Sequence, residues 1–422
     1  MYVSLRNQPA THGDGVRARH RGVSRTVVLL GVTSLLTDVS SEMVTAVLPL
    51  YLVLHLALTP SQFGLVDGLY RGVSAVSGLA AGVLSDRLRR PKLVASTGYA
   101  LSAATRPLML LASSVTAVSA LISVDRLGKG IRTAPRDAMI AGASPASDLG
   151  HSFGVHRAMD TVGALLGPLL SFGLLLLLPG TFEAIFVVSA AFALLGLCVI
   201  VLLVPGRGRA PSRSSLPTTT APRLTWQDLA ALGRSRSFVT RVCVAGLLTV
   251  FTVSDAFIFL SLLARDPGLA TAFPLLAVGL AVAYSVLAVP AGRLADRWGR
   301  MRVYLGGHAV LLVVYAVLAL QLPSVPGTVV TLLLMGTFYA ATDGVLAAAV
   351  SAALPEVSRA SGLSTAQTVV ALGGFTSSVA FGLLVSTVGS ERAYLVMALG
   401  MLVALPVGAR LLRPSVTPVA GR

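Results

Sequence analysis

The sequence predicts an all-α membrane protein: twelve transmembrane helices in two pseudo-symmetric bundles of six, with both termini cytoplasmic. Three observations predict it. Apolar runs of roughly 20 or more residues recur along the whole chain, each long enough to cross a hydrocarbon layer about 30 Å thick. Only 12% of the 422 residues are charged and 55% are hydrophobic, at a mean hydropathy of +0.81, whereas soluble domains carry about 25% charged residues. Finally, a pattern that ends the second apolar run returns 210 residues later, at the end of the eighth.

Taken in order, the spans fall at 27–56, 61–85, 92–114, 115–141, 153–178 and 181–205, then at 238–264, 270–292, 302–322, 327–353, 362–387 and 391–412. The first run is too long for a signal-peptide core and lacks a small-residue cleavage site, so it reads as the first span. Residues 1–26 form a basic tail, 27–205 the first bundle, 206–237 a Pro-, Ser-, Thr- and Arg-rich linker, 238–412 the second bundle and 413–422 a second tail. The net charge of +16 is not gathered on one soluble face. Arginines precede the first span (Arg6, Arg17, Arg19, Arg21, Arg25), and basic groups follow the second (Arg87, Arg89, Arg90, Lys92), the sixth and the eighth. The connections at 55–61, 113–116 and 321–327 carry no Lys or Arg. Basic loops stay cytoplasmic, which sets the expected topology in a multi-pass cell (plasma or inner) membrane protein. Cys198 and Cys243 sit in apolar runs with no redox or metal spacing.

The repeat is specific. "GVLSDRLRRPK" at the end of span two is answered by "GRLADRWGRMR" at the end of span eight. Gly292, Asp296, Arg297 and Arg300, with Gly82, Asp86, Arg87 and Arg90 in the first copy, resemble the loop signature of the major facilitator superfamily; Arg89 stands where that pattern has glycine. Arg126, Gly130 and Ala134 are similar to the fourth-helix pattern of the same superfamily, with Lys129 in place of its usual glutamine. Gly163, Gly167 and Pro168 resemble its fifth-helix antiporter pattern, with Ser171 and Phe172 where a terminal glycine pair is usual. The resemblance spans about residues 27–412 and implies the major facilitator fold, a secondary transporter and a cytoplasmic gate. In that gate Asp86 and Asp296 meet a helix N-terminus of the other half, whose positive end favours negative charge, and the arginines add ion pairs.

One stretch asks for its own explanation. "DRLGKGIRTAPRD", residues 125–137, holds six charged side chains directly after ten apolar or small residues. Each charge at mid-membrane costs about 2.5–3.5 kcal/mol, against about 0.3–0.6 returned by each Leu, Ile or Val. Asp125, Lys129, Arg132 and Arg136 share one helical face, with Arg126 beside it, so the segment is expected to face protein or a wetted cavity. A plain cytoplasmic loop is the alternative for 132–137, and Pro135 marks a kink or the helix end. "LGKG" is no phosphate loop, since Ser123 stands where its first glycine belongs. Partners of opposite sign come from other spans: Asp38 and Glu42, Asp67 and Arg71, Arg106, and His156, Arg157 and Asp160. Two carboxylates one turn apart, Asp38 and Glu42, do not both ionise cheaply in low dielectric, so one of them is expected to hold a proton. The second half offers Asp255 and Asp343, the latter 218 residues after Asp125, and His308 as a hydrogen-bonded packing residue. Phe257, Phe259, Tyr284 and Tyr339 are candidate cavity walls.

These residues predict proton-coupled efflux of a small organic molecule by alternating access. Asp38, Glu42 or Asp160 would carry the proton; Arg126 and Lys129 would tune that acid or hold a substrate anion. A static ion-pair network is the structural alternative. Within transport, uptake of an organic anion is the second reading, motivated by Arg71, Arg106, Arg126 and Lys129. A non-transporting receptor would bring a sizeable output domain, and the longest inter-span segment is only the linker. A membrane enzyme is not expected, since neither a nucleophile-and-base motif nor a metal set such as HExxH occurs, and nucleotide-driven transport is not expected, since no Walker sequence does. No cofactor, metal or nucleic-acid partner is expected; the bilayer, protons and a small molecule are. The sequence fixes no oligomeric state, and a monomer is compatible with it.

Overall fold

The computed structural model describes residues 23–73, 90–205, 233–320, 324–355 and 359–413, and every regular element among them is helical. Helix α1 (Arg25–Leu50) runs on through a π-helical turn, Tyr51–His55. It is followed by α2 (60–73), α3 (Pro91–Met109), α4 (Val115–Gly142), α5 (Leu149–Leu177) and α6 (Phe182–Cys198). The second group is α7 (Arg236–Val250), α8 (Asp255–Arg265), α9 (Leu269–Trp298), α10 (Arg300–Ala319), α11 (Ser324–Ser351), α12 (Arg359–Val388) and α13 (Ser390–Leu411). Among the described residues nine helical stretches have the length and composition to cross a membrane, α7 and α8 counting as one. Helices α2, α3 and α4 fall outside that set. Only 60–73 of α2 is described, and α4 holds all six charges of the 125–137 stretch.

Local chemistry explains where the helices start. Ser24, Ser114, Ser235 and Ser254 each accept the backbone N–H three residues on, capping α1, α4, α7 and α8, and Pro91 opens α3 where its missing N–H costs nothing. A single residue, Gly299 at φ 97°, joins α9 to α10. A side chain would be strained there, so the reversal needs glycine. The charged motif before it, Arg293 to Arg297, therefore rides on the last turns of α9, six residues beyond the expected end at 292.

Residues 132–137 are helical, in line with the span expected over 115–141, with Arg132 and Arg136 buried, so the alternative of a cytoplasmic loop falls and Pro135 lies inside α4. One expectation changes. Span seven, expected unbroken over 238–264, parts into α7 and α8 at Phe251–Ser254. No proline or glycine causes this. Tyr315 Oη donates to the Phe251 carbonyl at 2.8 Å and accepts the Val253 N–H at 2.8 Å, while Ser377 Oγ donates to the Thr252 carbonyl at 2.7 Å. Side chains from α10 and α12 thus replace the helical bonds, as backbone at membrane depth requires.

Packing is mostly within each group: α1 lies against α5 and α6, and α3 against α4 and α6, while α11 lies against α9 and α10, α12 against α7, and α13 against α10. The groups meet where α5 and α1 touch α9, and where α2 meets α12. Leu177, Leu202, Val286, Leu399 and Val403 point outward, an apolar exterior suited to lipid.

Candidate functional site

Where the two groups face each other, α1, α2, α8, α9 and α11 enclose a cavity of about 580 Å³. Its size is that of a small-molecule site. Leu48, Leu52, Phe63, Phe259 and Phe273 form apolar wall, and Tyr70, Tyr284 and Tyr339 add rings with polar tips. Five of the expected charged residues line it: Glu42, Asp67, Arg71, Asp255 and Asp343. The break between α7 and α8 places Asp255 in the first turn of α8, where its charge offsets the positive helix end. Tyr339 Oη donates to Asp255 at 2.5 Å, and Tyr284 Oη to Asp343 at 3.2 Å. Asp67 pairs with Arg71 at 3.5 Å and accepts Ser378 Oγ of α12 at 2.5 Å, a bond across the two groups. Glu42 makes no hydrogen bond or ion pair among the described residues.

The other basic side chains lie behind the cavity wall. Asp125 accepts Arg106 at 2.8 Å and Arg126 at 2.5 and 3.1 Å, and Arg106 also reaches Ser41 Oγ at 3.2 Å. All three charged groups are buried. Arg126 lies 4.2 Å from the centre of the Tyr70 ring, a cation–π contact that separates it from the open space. Further along α4, Arg132 pairs with Asp38 at 3.6 Å and stacks over Tyr99 at 4.7 Å. Arg136 donates to Ser34 Oγ at 2.8 Å and pairs with Asp137 at 3.0 Å. Asp160 has His156 at 3.5 Å, Arg136 at 3.9 Å and Arg157 at 4.0 Å. Lys129 is half-buried, with no ion pair among the described residues. The expected network therefore exists, spread over α1, α3, α4 and α5, but it separates Asp38 from Glu42: one acid is tied to Arg132 while the other faces the cavity. His308 is buried, with Nδ1 2.9 Å from the Tyr304 carbonyl, as a packing residue.

Glycines bring α5 onto α1. A Cβ on Gly163 would fall 2.7 Å from the Leu35 carbonyl oxygen, and one on Gly167 would fall 2.7 Å from Glu42 Cβ and 2.9 Å from Met43 N. Pro168 then reaches the cavity edge. The residues of the antiporter-like pattern thus set the position of Glu42.

At the His55 end the groups are closed. Ser386 Oγ accepts the Ser61 N–H at 3.0 Å, and a Cβ on Gly64 would fall 2.5 Å from the Ser378 carbonyl oxygen. Phe63, Phe257, Phe381 and Tyr394 meet in sequence, the first two pairs edge to face and the last tilted, with ring centres 4.8–4.9 Å apart. This aromatic floor separates the central cavity from a second hollow of about 750 Å³, which Phe63 also lines. Phe257, expected in the cavity wall, belongs to this floor, whereas Phe259, Tyr284 and Tyr339 line the cavity. At the other end, Asp296 is 69% exposed and, among the described residues, pairs within its own group, with Arg300 at 3.4 Å. Arg300 also donates to the Ala348 carbonyl at 2.9 Å; Arg297 and Arg90 are exposed, and a Cβ on Gly292 would meet open space. Gly82, Asp86 and Arg87 lie outside the described residues, as does the linker over 206–232. The sequence reading did not single out Tyr70 or Ser378. Tyr70 stands three residues after Asp67 on α2, a spacing that was available; nothing local marks Ser378.

Comparison with known proteins agrees with this geometry. The family model described as Major Facilitator Superfamily matches residues 30–279 and 242–421. An uncharacterised MFS-type transporter of Methanocaldococcus jannaschii is 31% identical over 372 residues, covering 86% of this chain and 89% of that protein. Among solved structures, the nucleoside transporter NupG superposes with a TM-score of 0.76 at 16% identity, covering 93% of this chain and 100% of that one. An inward-facing, unoccupied bacterial homolog of the human lysosomal transporter Spinster superposes with a TM-score of 0.75 at 15% identity, covering 92% of this chain and 97% of that one. At such identities these two structures speak for the fold alone.

Proposed function

This chain belongs to the Major Facilitator Superfamily and is a membrane transporter of that type, and from that premise we propose that it exports a small organic molecule from the cell in exchange for protons. The observation that carries the reading is the cavity between the two helix groups, lined by four carboxylates of which Glu42 has no described partner. In this reading 27–205 and 238–412 are the two bundles, and they rock about the cavity. The α2–α12 seam closes one end in the state described here; the repeated motifs around Asp86 and Asp296 close the other end in the alternate state. No covalent step is involved: the protein changes only which side of the membrane the cavity meets.

Coupling requires an acid that holds a proton in one state and releases it in the other. Glu42 is the first candidate, because Gly167 fixes its position and no described base lies within ion-pair distance of it. Asp160 is the second, because it sits between His156, Arg136 and Arg157 and its ionisation would redistribute that cluster.

The test is the sign of proton movement. In proteoliposomes containing a lumenal pH dye, a transported compound added outside should alkalinise the lumen as protons leave in exchange. Acidification would mean that compound and proton travel together, and would replace export by symport. Glu42→Gln or Asp160→Asn should abolish the dye response while retaining substrate-for-substrate exchange at saturating substrate. Full dye responses in both variants would remove these acids from the coupling role.

A further inference from the structure

We propose that the central cavity selects a monovalent organic cation with an apolar body, of the protonated or quaternary amine class; this rests on the transport reading above and names its substrate. The site is a walled cavity between two helix groups, and the question is the sign of charge it accepts. Among the described lining residues, Glu42, Asp67, Asp255 and Asp343 come from four different helices, against a single basic side chain, Arg71. Arg71 already lies beside Asp67. The N-terminus of α8 adds roughly half a positive charge, directly at Asp255. The cluster of Arg106, Asp125 and Arg126 adds one more, behind Tyr70. The cavity stays negative after both are counted.

The basic residues that favoured an anion are otherwise engaged. Arg106 and Arg126 both hold Asp125, and neither lines the central cavity; nor does Lys129. An anion entering would meet three carboxylates that have no basic partner within ion-pair distance: Glu42, Asp255 and Asp343. A cation would supply what these groups lack. Tyrosine donors already satisfy one oxygen each of Asp255 and Asp343, which leaves the second oxygen and the whole of Glu42 for an incoming positive charge. Tyr284, Tyr339 and Phe259 offer ring faces and edges around the same space, and ring faces attract ammonium and phosphonium groups. Leu48, Leu52 and Phe273 provide the apolar surface for the rest of the molecule.

The experiment uses the full chain in lipid nanodiscs, with empty nanodiscs as the blank. Two probes share shape and apolar surface but differ in sign: tetraphenylphosphonium and tetraphenylborate. Saturable binding of the phosphonium is expected, weakened at least tenfold in Glu42→Gln and in Asp255→Asn, with no saturable binding of the borate. Borate binding as tight as phosphonium binding, absence of binding by either probe, or wild-type phosphonium affinity in both variants would overturn the proposal. Thermal unfolding of each variant guards against misfolding; should Asp255→Asn misfold, Glu42→Gln decides, since Glu42 has no described hydrogen bond to lose. Phosphonium binding without movement in vesicles would defeat the transport reading and leave the cation site standing, whereas gradient-driven movement of an anion would do the reverse.

Discussion

Asp125 is the residue on which the membrane-depth charges of the first group depend. It accepts two guanidinium groups, from Arg106 on α3 and from its neighbour Arg126, and all three are buried. Bringing such charges out of water is tolerable only because each partner satisfies the others. Asp125→Asn leaves two buried guanidiniums facing a neutral amide, and breaking a buried pair in this way costs about 3–5 kcal/mol. A clear fall in the thermal unfolding midpoint is expected, and Arg106→Gln added to it should recover part of the loss. An unchanged midpoint in the single variant would show that the cluster contributes little to holding α3 on α4. Gly167 acts at the same scale: a methyl there meets Glu42 Cβ and the α1 backbone, so Gly167→Ala is expected to impair coupling together with stability.

At the scale of the element, the seam between α2 and α12 is the contact that parts in the proposed transport cycle. It is built for close approach, since Gly64 and Gly382 lie where a Cβ on either would collide with the opposite backbone. Ser61 and Ser386 meet there, N–H to Oγ, at 3.0 Å. Cysteines at these two positions, in a chain whose Cys198 and Cys243 are replaced, should join on mild oxidation. Transport should then stop and return with reductant. Activity that survives full cross-linking would show that this seam does not open during the cycle. The broken segment between α7 and α8 belongs to the same scale. Tyr315 and Ser377 hold its free backbone groups, and the break sets Asp255 on a helix end facing the cavity.

For the whole molecule, the two ends are in opposite conditions. The His55 end is sealed by the aromatic floor and the α2–α12 seam, while Asp296 at the other end is exposed and, among the described residues, pairs with Arg300 alone. An exposed pair of this kind is worth about 0–1 kcal/mol, so its purpose in the state described here is not stability. If Asp296 serves the proposed gate, Asp296→Asn is expected to leave the unfolding midpoint nearly unchanged and substrate affinity intact, yet to slow turnover in vesicles at least tenfold. Wild-type turnover in this variant would remove Asp296 from the gate.

The sequence by itself determined the class of the molecule. Hydrocarbon thickness and the cost of an unpaired charge act on each stretch of chain locally, so apolar run length and the charged patch at 125–137 carry that information without any tertiary contact. The repeated motif and the antiporter-like glycines were equally legible, because a tight turn and a close helix approach each demand a particular residue at a particular place. Only the tertiary structure decided which acids face the cavity. Asp38 and Glu42 stand four residues apart, yet that step of about 6 Å along the axis moves from the layer packed on Arg132 to the layer open to the cavity. Arg106 and Arg126 were equally ambiguous until Asp125 was seen to hold both. Likewise the break before Asp255 has no local cause, since the groups that replace its helical bonds arrive from residues 315 and 377. Which partner a buried charge finds depends on helices far apart in the chain, and it is this pairing that gives the cavity its sign.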